Sequence, residues 1–409
     1  MKKKLEEGFK QPLKGKKSIS LLLGAGFSAP MGYPIGNDLN KGLLNFDDNT
    51  LDFSPAGELV HSSDGLKPVF QTDSIHNSHQ NCFTFCKRLI KEYYIAHNNK
   101  FDYEEFYDFI KTDEVKEMRY RLLCNDLLSE HGNFEHYRGN VPYIYNQMVA
   151  HLLKDGEGKT WYNNETCKQY IMYKEFLTYL SELSKEFTVN IHTLNHDLLF
   201  ESFNKTDLIN GNISDGFDEY GSNYYGKLFA NGQTYRCRLE RYSGRYNTPI
   251  RLYKLHGSLD YVPFYRKDKF FCLIKENYVK IKQGIGVGDI LKSQNSKKRY
   301  VASPFEYHAD FLTGTTSKIQ RYNEPFYRDL FKKFEKNLRE AEKLIIIGYG
   351  CKDTGINEMI KENFDFKHKQ SFIVDAYAKG GSNVDLFKDE LHAKLHRVEI
   401  KDIKESLFE

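Results

Sequence analysis

Ser18-Ile19-Ser20-Leu21-Leu22-Leu23 runs directly into Gly24-Ala25-Gly26-Phe27-Ser28-Ala29. A short apolar run without polar alternation, stopped by glycines, predicts a strand buried on both faces of a parallel sheet. The turn after it fits the loose pattern Gly-x-Gly-x-x-Gly/Ala, in which backbone amides approach a pyrophosphate at the start of a helix. A tight structural turn has the same sequence. An ordinary dehydrogenase also needs an acidic residue closing a second strand about 20 positions on, and this chain offers none in that setting.

Outward from this turn, a first helix is expected between Ser28 and Leu44, interrupted or delayed by Pro30 and Pro34. The character then changes. Asp47 to Asp73 is polar and glycine-containing, which predicts an irregular segment. Cys82–Tyr94, Tyr103–Ile110, Val115–Leu128 and Tyr143–Leu153 carry apolar residues at helical intervals. Residues 45–174 therefore read as a mostly helical lobe inserted into an α/β sheet. The sheet resumes after a helix through Phe176, Leu180 and Leu183, with a strand at Phe187–His192 rich in β-branched residues. Residues 211–261 hold many Gly, Tyr and Asn and short alternating stretches such as Tyr235–Leu239, which predict hairpins. Ile250–Leu255 is a strand feeding His256-Gly257-Ser258. Phe326, Tyr327, Leu330, Phe331, Phe334, Leu338 and Ala341 trace one helix face, and Leu344–Ile347 is an apolar strand ending at Gly348-Tyr349-Gly350. A helix over Asp353–Asn363 and a strand at Ser371–Val374, closed by Asp375, complete the pattern. Alternating helices and continuous apolar strands predict an α/β fold with a doubly wound parallel sheet, Rossmann-like in layout. Its first part is 18–44 and its remainder 175–409, behind a basic tail at 1–17.

At 409 residues the chain exceeds one average domain, and 40% hydrophobic with 28% charged residues places it among globular proteins. The 29 Tyr and 30 Phe suit a nucleotide pocket or a core alike. A net charge of +3 is too mild to demand nucleic acid, so no direct nucleic-acid binding is expected. The basic runs near residues 1–4 and 14–17 read as a solvated tail or as a docking arm for an acidic partner. No apolar stretch approaches the roughly 20 residues of a membrane span, and the N-terminus lacks the apolar segment of a secretory signal. Seven irregularly spaced cysteines point to a reducing compartment, hence a cytoplasmic location. Cys82 and Cys86 have no second pair at zinc-module spacing, so structural zinc is not expected.

In a doubly wound sheet, ligands bind beyond the carboxyl ends of the strands. Four such ends carry suggestive residues: Gly24–Ser28, Asn195–Asp197, His256-Gly257 and Gly348–Asp353. Asn195 and Asp197, in the turn Thr193-Leu194-Asn195-His196-Asp197, are turn formers and caps as readily as functional groups. His256 is either a satisfied histidine at a strand end or a base near neutral pH, with Gly257 admitting a ligand closely. His192 and His196 lack such a glycine and read as structural or solvent-facing.

Taken in order, these segments resemble the sirtuin family. Gly24-Ala25-Gly26-Phe27-Ser28 with Gly32-Tyr33-Pro34 resembles its GAG-x-S…G-x-P segment, Thr193–Asp197 its T-x-N-x-D motif, and His256-Gly257 its catalytic His-Gly. Gly348-Tyr349-Gly350 falls where the family has a ribose-contacting turn. Tyr253–Asp260, and Ile346–Tyr349 through Asp353, Ile356 and Asn357, are similar to the bacterial sirtuin-like proteins of anti-phage defence. That resemblance implies hydrolysis of NAD without a metal, an oligomer, and a HerA-type ATPase or a short Argonaute as partner. It implies that Asn195 contacts the nicotinamide ribose and the attacking water, that Asp197 holds the carboxamide, and that His256 takes a proton. Gly24, Ala25, Gly26, Phe27 and Ser28 would line the phosphates, with Pro34, Thr193 and Gly257 beside the site, Gly348 and Tyr349 near the adenosine ribose, and Asp375 at the adenine. The family's deacetylases carry four zinc-binding cysteines after His-Gly, whereas only Cys272 lies between Tyr261 and Tyr349 here. They also have Phe-Arg where this chain has Ile35-Gly36. Both departures turn the expectation from deacylation toward NAD hydrolysis. A nucleotide sensor or scaffold without turnover, a deacylase and an ADP-ribosyltransferase remain the alternatives.

Overall fold

The computed structural model describes residues 16–54, 57–61, 73–128, 132–154, 166–282, 284–294, 299–304 and 309–409. Residues 1–15 of the basic tail and 62–72 of the irregular segment lie outside them.

Seven parallel strands form the central sheet: β1 (Ser18–Leu23), β2 (Thr188–Thr193), β3 (Ile213–Ser214), β4 (Ile250–Lys254), β5 (Ala341–Ile347), β6 (Gln370–Val374) and β7 (Lys394–His396). Their spatial order is β7-β6-β5-β1-β2-β4-β3. The doubly wound parallel sheet read from the sequence is present, and the glycine-stopped run is its central strand. Leu21 lies opposite Ile191 on one side and Ile345 on the other.

Alternation along β1 explains why it is apolar throughout. Ile19, Leu21 and Leu23 join one core with Phe27, Tyr173, Phe176 and Leu180, beneath the helix Lys174–Glu186. Leu22 joins another, with Leu344, Ile346, Phe331, Phe334 and Leu338, beneath the helix Pro325–Glu340. Pro325 opens that helix where no amide partner is needed. Each large side chain it buries contributes about 2 kcal/mol of transfer energy. The chain winds from β1 through β2 to β4, then crosses back to β5 and continues outward to β7. The direction reverses between β1 and β5, the position at which doubly wound sheets bind ligands beyond the carboxyl ends of their strands.

Between β1 and β2, the helices Asp73–Ala96, Tyr103–Phe109 and Phe134–Lys154 pack around their own core of Phe85, Leu89, Phe106, Tyr137, Ile144 and Met148. Leu259 and Phe311 from the rest of the chain complete that core. Val115–Leu128, expected to be helical throughout, forms a 3-10 turn, one helical turn at Met118–Arg121 and a second 3-10 stretch. Its buried residues Val115 and Tyr120 are five apart, a step that rotates the face by about 140° and that one straight helix does not bury. The expected irregular segment includes a short antiparallel pair, Leu51–Phe53 with Leu59–His61. Antiparallel structure does not stop at Tyr261: two four-stranded sheets draw on strands as late as Leu273–Lys280 and Arg299–Ala302. No described helix is long and apolar enough to cross a membrane.

Candidate functional site

The glycine turn is held by its own backbone. Gly24 N donates to Ile347 O at 3.0 Å, Gly26 N to Gly348 O at 2.9 Å and Phe27 N to Gly24 O at 2.9 Å. Gly348, at φ +61°, donates in turn to Val374 O at 2.9 Å. A Cβ on Gly24 would stand 2.6 Å from Gly348 O, and one on Gly348 only 2.3 Å from Phe27 N. These glycines therefore let the ends of β1 and β5 touch, and three amides expected to face a phosphate are engaged inside the protein. Phe27 is buried in the core beneath the sheet, with its ring 5.2 Å from Tyr173 and 5.3 Å from Phe176. Ala25 is exposed, and Pro34 is half-buried in the turn before the helix Gly36–Leu44.

The end of β2 closes on this turn. Thr193 Oγ1 accepts from Asn195 N at 3.1 Å, which folds the strand end back. Asn195 Nδ2 then donates to Gly24 O at 2.9 Å and to Ser28 Oγ at 3.0 Å. Buried Asp197 accepts from Leu199 N at 3.0 Å. Burial raises its pKa, opposed by Lys254 and by hydrogen bonds that include the Ser28 hydroxyl. Lys254, at the end of β4 and 1% exposed, donates to the main-chain oxygens of His196 (3.3 Å) and Asp197 and pairs with Glu201 at 3.0 Å. It anchors the turn that carries Asn195.

His256 lies two residues after Lys254 and is 5% exposed. Its backbone is fixed by Leu312 N, which donates to His256 O at 2.7 Å. Gly257, at φ +82°, admits that loop, since a Cβ there would lie 2.5 Å from Asp310 O. His256 Nε2 stands 3.5 Å from Asp353 Oδ2 and 3.4 Å from the Tyr322 hydroxyl. Burial lowers its pKa to about 3, aided by Lys318 and opposed by Asp353. The imidazole is thus neutral at physiological pH. Lys318 pairs with Asp353 at 2.8 Å and with Glu104, from the helical lobe, at 3.2 Å. His196 tilts its ring toward His256 at 6.3 Å and packs on Phe311 at 4.7 Å.

Tyr349 is buried, its hydroxyl bonded to Asn357 Oδ1 at 2.9 Å and to Asp353 O at 3.1 Å. Asp375, half-buried at the end of β6, accepts from Tyr377 N at 2.8 Å. His192 lies inside the sheet, 3.1 Å from both Leu21 O and Asn337 Nδ2. Thr193, Asn195, Asp197, Gly24 and Ser28 thus share one corner, with His256 on the neighbouring strand end. Lys254, Lys318, Glu104 and Tyr322 were not singled out by the sequence. Lys254 had a signal, as a charge inside an apolar strand; Glu104 had none, because only the tertiary fold brings it here. Among the described residues, no group of three or more His, Cys, Asp or Glu is arranged to hold a metal.

No family model matches the chain, and no curated protein matches it. Among solved structures it is similar to a Sir2 homologue in complex with NAD, at 10% identity, over 96% of this chain and 89% of that one, with a TM-score of 0.34. It is also similar to a Sir2 enzyme at 11% identity, covering 95% and 89% with a TM-score of 0.31. A mutant Sir2 homologue bound to ADP-ribose matches at 11% identity over 96% of each chain, with a TM-score of 0.26.

Proposed function

We propose that this chain binds NAD across the reversal between β1 and β5 and hydrolyses its nicotinamide–ribose bond. Water adds to the ribose carbon as nicotinamide leaves with the bonding electrons, giving ADP-ribose and one proton. The observation that carries the reading is the bond from Asn195 to both Gly24 and Ser28, which joins two motifs far apart in sequence at one strand-end corner. An oxocarbenium-like ribose needs an oriented water, a group that stabilises charge and a proton acceptor. Asn195 would hold the ribose and water, Asp197 the carboxamide and His256 the proton. Ser28 and the rim of the glycine turn would meet the phosphates. Pro34 and Thr193 would flank the ribose, with Gly348 and Asp375 toward the adenosine. The order of the motifs, and the absence of a second cysteine near Cys272, favour hydrolysis over deacylation.

A second reading is favoured by the burial of His256: nucleotide binding without turnover until a partner opens the site. A HerA-type ATPase is the partner proposed, a short Argonaute the alternative, and NAD depletion during phage infection the biological role.

The test is incubation of the chain with NAD, alone and with the ATPase, followed by chromatography. Nicotinamide and ADP-ribose are expected in equal amounts, and Asn195→Ala or His256→Ala should reduce both by roughly 100-fold or more. Unchanged turnover in both variants eliminates this site. Product that appears only when the ATPase is present establishes the second reading, nucleotide binding without product under either condition establishes a sensor or scaffold without turnover, and product that appears only with an acylated or acceptor protein establishes transfer instead.

A further inference from the structure

Around His256 three groups converge from three distant parts of the chain, Asp353, Lys318 and Glu104. Asp353 uses one carboxylate oxygen, Oδ1, to cap the helix Thr354–Asn363 through Ile356 N at 3.2 Å. The other, Oδ2, faces Lys318 at 2.8 Å and His256 Nε2 at 3.5 Å. Lys318 reaches Glu104 of the helical lobe at 3.2 Å. The N-terminus of the helix Thr316–Arg321, which carries Lys318, is pinned to the same lobe by Asp108, which accepts from Thr315 N (3.0 Å), Thr315 Oγ1 (2.6 Å), Thr316 N (2.7 Å) and Ser317 N (3.0 Å). The side chains of His256, Asp353 and Lys318 are only 6–7% exposed.

Taking three ionised groups out of water is costly, and a purely structural contact is served as well by apolar residues. What the arrangement achieves is direction. Among the described residues, the polar groups recorded at the imidazole, Asp353 Oδ2 and the Tyr322 hydroxyl, both stand at Nε2. A carboxylate can only accept there, so the proton belongs on Nε2 and the lone pair on Nδ1. At 3.5 Å the imidazole and the carboxylate are near one another without a formed hydrogen bond, and catalytic hydrogen bonds often tighten only when substrate closes a site.

We propose that Asp353, held by Lys318 and through it by Glu104 of the inserted lobe, is a positioning residue that fixes His256 with its proton on Nε2 and presents Nδ1 as the basic nitrogen. This rests on the reading of His256 as the proton acceptor in NAD hydrolysis. The low pKa of His256 fits it, because the ring then stays neutral and one tautomer persists across the working range. The lobe is accordingly part of the site, since removing Glu104 or Lys318 frees the carboxylate that orients the base.

Nitrogen-15 NMR of the histidine-labelled full chain, with His256 assigned by loss of its signals in His256→Gln, tests this directly. The expected spectrum has protonated Nε2 and unprotonated Nδ1 between roughly pH 5 and 8. Asp353→Asn keeps the helix cap, but the new amide can donate to the ring, so the tautomer should switch or become mixed. Lys318→Met should broaden the signals by freeing the carboxylate. A Nδ1-protonated wild type, or identical spectra in wild type and Asp353→Asn, overturns the proposal whatever the activity. In turnover assays Asp353→Asn should lower kcat by about 10³–10⁴-fold with KM for NAD nearly unchanged. If the tautomer behaves as expected but wild type releases no nicotinamide with or without its partner, the dyad stands and the hydrolase reading falls.

Discussion

Gly348 shows how little freedom the corner leaves to single residues. Its left-handed backbone and the 2.3 Å approach to Phe27 N exclude any side chain. Gly348→Ala should therefore cost about 2–4 kcal/mol by combining strain with overpacking, seen as a lower denaturation midpoint. A midpoint within error of wild type would show that the β1 and β5 ends can separate freely. The buried histidines tie stability to pH. Burial holds both His192 and His256 at pKa values of about 3, below the ordinary histidine range. Between pH 6.5 and 3 the unfolded chain binds more protons than the folded one, so this stability is complete above 6.5 and is lost as pH falls. Each ring should remove about 1.4 kcal/mol per pH unit inside that window. Denaturation at stepped pH should show the slope, and His192→Gln should reduce it; a flat profile between 6.5 and 5 would refute the assignment.

Turns and caps decide how the elements meet. At the end of β4, Lys254 ties the Asn195 turn to Glu201 from inside the protein. Lys254→Met should cost about 3–5 kcal/mol because it leaves a buried carboxylate unpaired, and adding Glu201→Gln should recover part of the loss. Failure of the double variant to recover would show that the carbonyl bonds, not the ion pair, matter most. Asp108 offers a test across two segments. Asp108→Ala should destabilise by about 1–3 kcal/mol and speed amide exchange over residues 313–321, whereas unchanged exchange there would mean that the start of the helix Thr316–Arg321 is held otherwise. Elements of this kind were unequally legible. β1, β5 and the helix Pro325–Glu340 are plain in sequence because their periodicity is local and their burial complete. Val115–Leu128 misled because a lobe with its own core supplied contacts that no single helix face anticipates. The late hairpins escaped because strands such as Leu273–Lys280 mix charges into both faces.

For the molecule as a whole, the strand ends were legible and their closure was not. Glycines, Asn195 and His256 could be read as a series at strand ends, since parallel topology puts such ends together. Nothing local announces that Glu104, on a helix of another lobe, reaches Lys318, nor that the glycine amides donate to carbonyls of the neighbouring strand ends. The central position of β1 has a further consequence for how the chain comes to be folded. Its contacts wait for partners far along the polypeptide: Leu21 meets His192 at a separation of 171 residues, and Ser20 meets Asn337 at 317. At synthesis rates of about 5–20 residues per second, the second flank arrives roughly 15 to 60 s after the strand leaves the ribosome. Throughout that interval Ser18–Leu23 is an apolar segment with at least one edge open, the kind of surface that seeds aggregation. Chains halted before β5 should accumulate as insoluble species or bound to chaperones, so that yield depends on the pace of translation more than on the stability of the finished sheet.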